Sequence, residues 1–176
     1  MTKFAPTMGI EEELQIVHAE SHSLTPDAHE LLELAREELK DEEVVPELRQ
    51  SQIEIVSGVC QSLDEVTREL FRLRKEVYQA SIAKGDRIVS AGTHPFSSWK
   101  KQPVTKGDRY RQIEKQYQHL AREQLIFGLH IHIGIEDREE AVQVLNRLRP
   151  WLSVLLALSA NSPFWNGDDT GYNSFG

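Results

Sequence analysis

The chain has 176 residues, 39% of them hydrophobic, and a net charge of −8 from 28 acidic and 20 basic residues. That is enough apolar material for one globular domain with a core, and too much for a disordered chain. The acidic balance excludes a nonspecific nucleic-acid surface, which needs a basic stripe to meet phosphates.

Residues 8–19 alternate loosely and read as a strand. Side chains at i and i+2 of a strand share a face, so Glu11 and Glu13 point one way and Glu12 the other. Thr25-Pro26-Asp27 opens a helix over 28–40, with Leu31, Leu32, Leu34, Ala35 and Leu39 at helical spacing. Two short strands follow, 43–48 and 52–59. Glu47 closes the first, Arg49-Gln50-Ser51 forms the turn, and Gln52 and Glu54 lie opposite Ile53 and Ile55 in the second. Cys60 reads as a passive core residue. As the single cysteine it excludes an intramolecular disulfide and points to a reducing, cytoplasmic setting. The N-terminus shows no leader pattern.

Ser62 and Glu65 form a capping box for a helix to Lys84, with a seam of Leu63, Val66, Leu70, Leu73 and Val77. Gly85 ends it. A strand is predicted over 87–92, a turn at Gly92-Thr-His-Pro95, a loop over 96–106 and a helix over 109–122. His94 is open to two readings, a turn residue or a member of a substrate loop. Residues 127–135 read as a strand, 137–148 as a helix, and Pro150 kinks that helix or starts another reaching Ala160. The apolar run 151–160 is too short to span a bilayer. Residues 161–176 read as a loop rich in turn residues. Strands and helices do not alternate strictly, which favours an α+β sheet with helices on one face over a doubly wound fold. No glycine-rich dinucleotide motif and no phosphate loop occurs.

Two clusters carry candidate chemistry. Glu11 and Glu13 on one strand face repel across roughly 6–7 Å, which is tolerable with solvent or a cation between them. His130 and His132 share a face within Gly128-Leu-His-Ile-His-Ile-Gly134, whose glycines let backbone or ligand approach. Carboxylates suit Mg2+ or Mn2+, and imidazole suits Mn2+ or Zn2+. Bland alternatives stand beside these: a wet edge strand, two satisfied surface histidines, and Glu54 salt-bridged to Arg49. A histidine-based hydrolase is disfavoured because no histidine follows His132.

Four segments in this order resemble the bacterial carboxylate–amine ligases of the glutamate–cysteine ligase type 2 family, within the glutamine synthetase superfamily. They are Gly9-Ile-Glu-Glu-Glu13, the stretch from Glu47 to Glu54, Gly128 to Gly134, and the long motif from Leu158 to Tyr172. The resemblance implies a curved, mainly antiparallel sheet whose concave face holds divalent cations, ATP and an amino acid. It implies metal roles for Glu11, Glu13, Glu47, Glu54 and His130. His132 would face nucleotide phosphates or the substrate carboxylate, and Gln52 and His94 would contact substrate. The implied reaction joins glutamate or a similar carboxylate to an amino-acid amine through an acyl phosphate, with ATP and Mg2+ or Mn2+ as cofactors and neither nucleic acid nor membrane as partner. Family members run to about twice this length, so residues 1–176 correspond to one domain portion, the N-terminal half of the catalytic domain. A homo-oligomer or a partner supplying the other half is therefore expected. A truncated, inactive metal- or nucleotide-binding module is the alternative.

Overall fold

β1 (Met8–His18) is the longest strand and the axis of the sheet. Along one edge it pairs antiparallel with β3 (Gln52–Val56), outside which lies β2 (Val44–Pro46). The other edge is shared. Its N-terminal half pairs with β5 (Leu129–Ile133), and its C-terminal half with β4 (Asp86–Val89). All of these pairings are antiparallel. Residues 6–175 are described by the computed structural model; the extreme N-terminus, read above for a leader, and Gly176 lie outside them.

The two faces of the sheet differ. On one, Leu14, Ile16, Ile53, Ile55 and Val44 are buried against α1 (Ala28–Ala35) and α2 (Leu63–Lys84). The period-2 apolar set of the strands thus meets the 3.6-residue set of the helices, notably Leu31, Leu73 and Val77. Burying each such side chain stabilises by about 1.5–3 kcal/mol. Ser62 caps α2 by accepting from the Glu65 amide at 3.2 Å, and Gly85 closes it at φ 90°. The seam of α2 starts later than its apolar spacing predicts, because Leu63 is 72% exposed at the first turn. The α1 helix stops at Ala35, and Leu39 reaches the core from the turn that follows.

Glu12 also lies on the helix-covered face, 1% exposed. Arg74 of α2 grips it through two hydrogen bonds, 2.7 and 2.6 Å, and Ser90 donates a third at 2.6 Å. A buried carboxylate is tolerable when charge-paired and hydrogen-bonded in this way.

The helix predicted over 109–122 is broken. α3 (Asp108–Tyr117) and α4 (His119–Glu123) meet at Gln118, which has φ 50°. The buried Arg49 guanidinium donates to the carbonyls of Gln102, Ala121, Arg122 and Gln124. It therefore supplies the cation and donors that the end of α4 lacks.

After β5, α5 (Arg138–Leu148) is capped by Asp137, and a 3-10 turn at Arg149–Trp151 leads into α6 (Leu152–Ser159). Pro150 therefore begins a new turn rather than kinking one helix. Residues 161–175 are more ordered than a loop reading allows. β6 (Phe164–Trp165) and β7 (Asp168–Asp169) form a hairpin closed by Asn166-Gly167, both at positive φ. Gly92 lies under this segment, where a β-carbon would sit 2.4 Å from Ser162 Oγ. No helix among the described residues is long and apolar enough to cross a membrane.

Candidate metal centre

The face opposite the helices carries the chemistry. Directly paired residues of neighbouring strands share a face. The register sets His130 beside Glu11 and Glu54 beside Glu13. His132 pairs with Gly9, which has no side chain to stand between the imidazole and Glu11. The result is a three-residue cluster. Glu11 Oε2 lies 3.1 Å from His130 Nδ1 and 3.0 Å from His132 Nε2. One ligand atom from each lies within 4.8 Å of the others, and both imidazoles are more than half exposed. The hydrogen bond to His132 leads in holding the Glu11 carboxyl below its usual range.

This donor set fits a divalent cation. One carboxylate and two imidazoles face a common point at coordination spacing, and the mixed set suits Mn2+ or Zn2+ better than an all-oxygen site would. His132 therefore lies with Glu11 and His130, closer to the proposed metal ligands than a purely phosphate-facing residue needs to be.

Glu13 and Glu54 form the second part of the face. Glu13 Oε2 accepts from the Gly128 amide at 2.6 Å and from Gln52 Nε2 at 2.8 Å. Burial nevertheless leads in raising its carboxyl above the usual range. Glu54 is raised further, to about 7, first by burial and then by the carboxylates of Glu11, Glu47 and Glu13. It is not salt-bridged to Arg49, whose guanidinium is occupied by backbone carbonyls. Glu47 lies just past β2, close enough to act on both Glu13 and Glu54, while its own carboxylate accepts from the Leu48 amide. The four carboxylates thus converge on one side of the sheet with the two histidines.

Two other predicted residues lie apart from open surface. Gln52 is 3% exposed, and its amide orients Glu13. His94 is 4% exposed in the turn after β4. Its Nδ1 accepts from the Ser97 and Phe96 amides at 2.9 and 3.3 Å, and its Nε2 is 2.9 Å from the His22 carbonyl. Amides only donate, so the ring is neutral with its proton on Nε2, and burial lowers its pKa in agreement. In this arrangement His94 ties two turns together. Sequence reasoning missed the Gly128 amide as an anchor of Glu13. The glycine itself was the available signal, since a β-carbon there would come 3.3 Å from His130 Nε2.

Fold and site together define a class: an antiparallel sheet backed by helices on one side, with a carboxylate–imidazole cluster on the other. The match to known proteins makes it specific. Residues 7–175 match Glutamate-cysteine ligase family 2 (GCS2), and the chain belongs to that family. A relative from Sorangium cellulosum is 47% identical over 169 residues, covering 96% of this chain and 45% of its own length. One from Solibacter usitatus is 43% identical, covering 96% and 44%. Both are named "Putative glutamate--cysteine ligase 2". The chain thus spans a little under half the length of these relatives. A bifunctional glutathione synthetase from Pasteurella multocida has the same fold, with TM-score 0.66 at 14% identity over 91% of this chain and 24% of its own. The glutamate–cysteine ligase of Francisella tularensis, in complex with AMP, superposes with TM-score 0.57 at 13% identity, covering 82% and 30%.

Proposed function

We propose that the chain is the N-terminal portion of an ATP-dependent carboxylate–amine ligase of the glutamate–cysteine type. Its carboxylate–histidine face would hold Mg2+ or Mn2+ together with the nucleotide. The observation that carries this reading is the convergence of His130 and His132 on one oxygen of Glu11 beside the clustered Glu13, Glu47 and Glu54. Family membership supplies the reaction class.

In that reaction a carboxylate oxygen of glutamate, or a similar acid, attacks the γ-phosphorus of ATP, and ADP leaves. The amine of the second substrate, cysteine or another amino acid, then attacks the acyl carbon. Phosphate departs, and the amine proton is lost to a base. Phosphoryl transfer asks little covalent help of a protein; it needs position and positive charge at the transferring group. A divalent cation, when bound, would supply that charge. Glu11, His130 and His132 would hold one such ion, with Glu13, Glu47 and Glu54 beside it. Gln52 and the Gly128 amide hold Glu13 at its station. Gln52 would act on the site through Glu13, which it fixes, whereas His94 spends both ring nitrogens on the backbone of two turns.

Calorimetric titration with Mn2+-ATP and Mg2+-ATP tests the reading. The wild-type chain is expected to bind, and Glu11→Gln and His130→Ala each to weaken binding at least about tenfold, since even supporting partners of metal ligands are worth roughly 10–100-fold. A folded wild type that takes up neither free Mn2+ nor its nucleotide complex overturns the cation site.

A further inference from the structure

The cation face is one unfinished surface; the far side of β5 is another. Leu129 and Ile131 lie on the face that buries Leu14 and Ile55 elsewhere in the sheet, yet they are 55% and 65% exposed. Among the described residues β5 pairs with β1 alone, so its outer edge has no strand partner. The helices that follow bury no residue. α6 is apolar nearly all round, with Leu156 and Leu158 at 65% and 79% exposure, and α5 presents Leu145 at 61%. A helix that is apolar all round belongs in an interior, and an open apolar edge strand calls for a partner strand.

We propose that the outer edge of β5, with the apolar faces of α5 and α6, seats the second half of the family's polypeptide. That half adds a strand to β5 and covers the two helices. The length relation favours this occupant: relatives similar across this whole chain carry more than half of their own length beyond the match. Charge disfavours a second copy. Each copy has net charge −8, and pairing β5 with β5 would set two acidic sheet faces side by side. The inference rests on family membership and exposed surface, not on the cation reading, so either can fail while the other stands.

The test co-expresses this chain with the part of the Sorangium cellulosum relative that follows its matched segment, tagged on the latter. A 1:1 complex is expected, with amide hydrogen exchange in β5 slowed at least about tenfold relative to the chain alone. Ile131→Lys and Leu156→Glu, both at exposed positions, should each reduce recovery of the complex at least about tenfold by disrupting the interface. Glu33→Lys, exposed on α1 over β2 at the far edge of the sheet, should leave it intact. Recovery of the tagged fragment without this chain, or this chain left behind as a homodimer, overturns the proposal. So does a complex indifferent to both β5–α6 variants.

Discussion

At the scale of single residues, Glu54 sets ligand geometry against stability. Its carboxyl titrates near 7 in the fold, against 4.5 for an ordinary glutamate, because burial and three neighbouring carboxylates oppose its charge. The folded chain therefore holds a proton there that the unfolded chain has released. The stability this gives is complete below the unfolded value and is lost as pH rises through about 7. Glu54→Gln should then melt higher than wild type near pH 8. The gain is on the order of 1–2 kcal/mol after allowing for solvent around a partly exposed group, or roughly 3–6 °C. At about pH 4, below the unfolded value, the difference should vanish, and Mn2+ at pH 8 should narrow it by stabilising wild type alone. Thermal melts at both pH values decide; a variant that melts lower at each shows that Glu54 contributes net stability as it stands. The paired carboxylates and histidines were legible in the sequence because strand spacing of two fixes a face. The part of Gln52 was not, since its amide finds Glu13 across the β1–β3 pairing and depends on strand register.

Elements are held by polar clamps as much as by the apolar core. Strand β1 alternates between two environments, and Glu12 is the one charge it turns toward the helices. Arg74 meets it in a two-pronged contact, which pins α2 across β1 beneath Glu11 and Glu13. Arg74→Ala leaves Glu12 buried with Ser90 as its remaining partner, and breaking a buried pair this way costs about 3–5 kcal/mol. Urea denaturation should show a loss of that order, with Glu12→Gln added to Arg74→Met recovering part of it. A loss below about 1 kcal/mol would mean that water enters and solvates Glu12. Glu12 shows a limit of reading strands by pattern. A charge on the apolar side of an alternating run looks like a solvent position until its partner, 62 residues away, is placed. The break at Gln118 was illegible for a related reason. Periodicity runs through it, and the Arg49 donors that accept the interruption come from the β2–β3 turn. The Asn166-Gly167 hairpin, by contrast, was written locally and was passed over within a segment dense in turn residues.

For the whole molecule, the core and the site do not occupy the same stretch of chain. The main buried cluster runs from Leu14 to Ala80, a smaller one joins Val17 and Leu24 to Leu125 and Phe127, and residues beyond 128 contribute little to either. The proposed cation face is nevertheless completed by His130 and His132, which reach it through the pairing of β5 with β1. The order of the motifs made the family and the N-terminal placement legible in the sequence. The uneven packing was not, because apolar spacing in α5 and α6 says that a face will be buried and not which polypeptide buries it. Local stability should follow packing. Hydrogen exchange on the isolated chain should show α2 and β1 as the slowest amides. The α5 and α6 amides should exchange at least about 100-fold faster, equivalent to a gap of about 2.7 kcal/mol in opening free energy. Saturating Mn2+ should protect β5 through His130 and His132, because a ligand that binds only the closed site stabilises it, and should leave α5 and α6 fast. Uniform protection across 129–159 in the isolated chain would contradict this gradient and show that the C-terminal helices already share in the cooperative core.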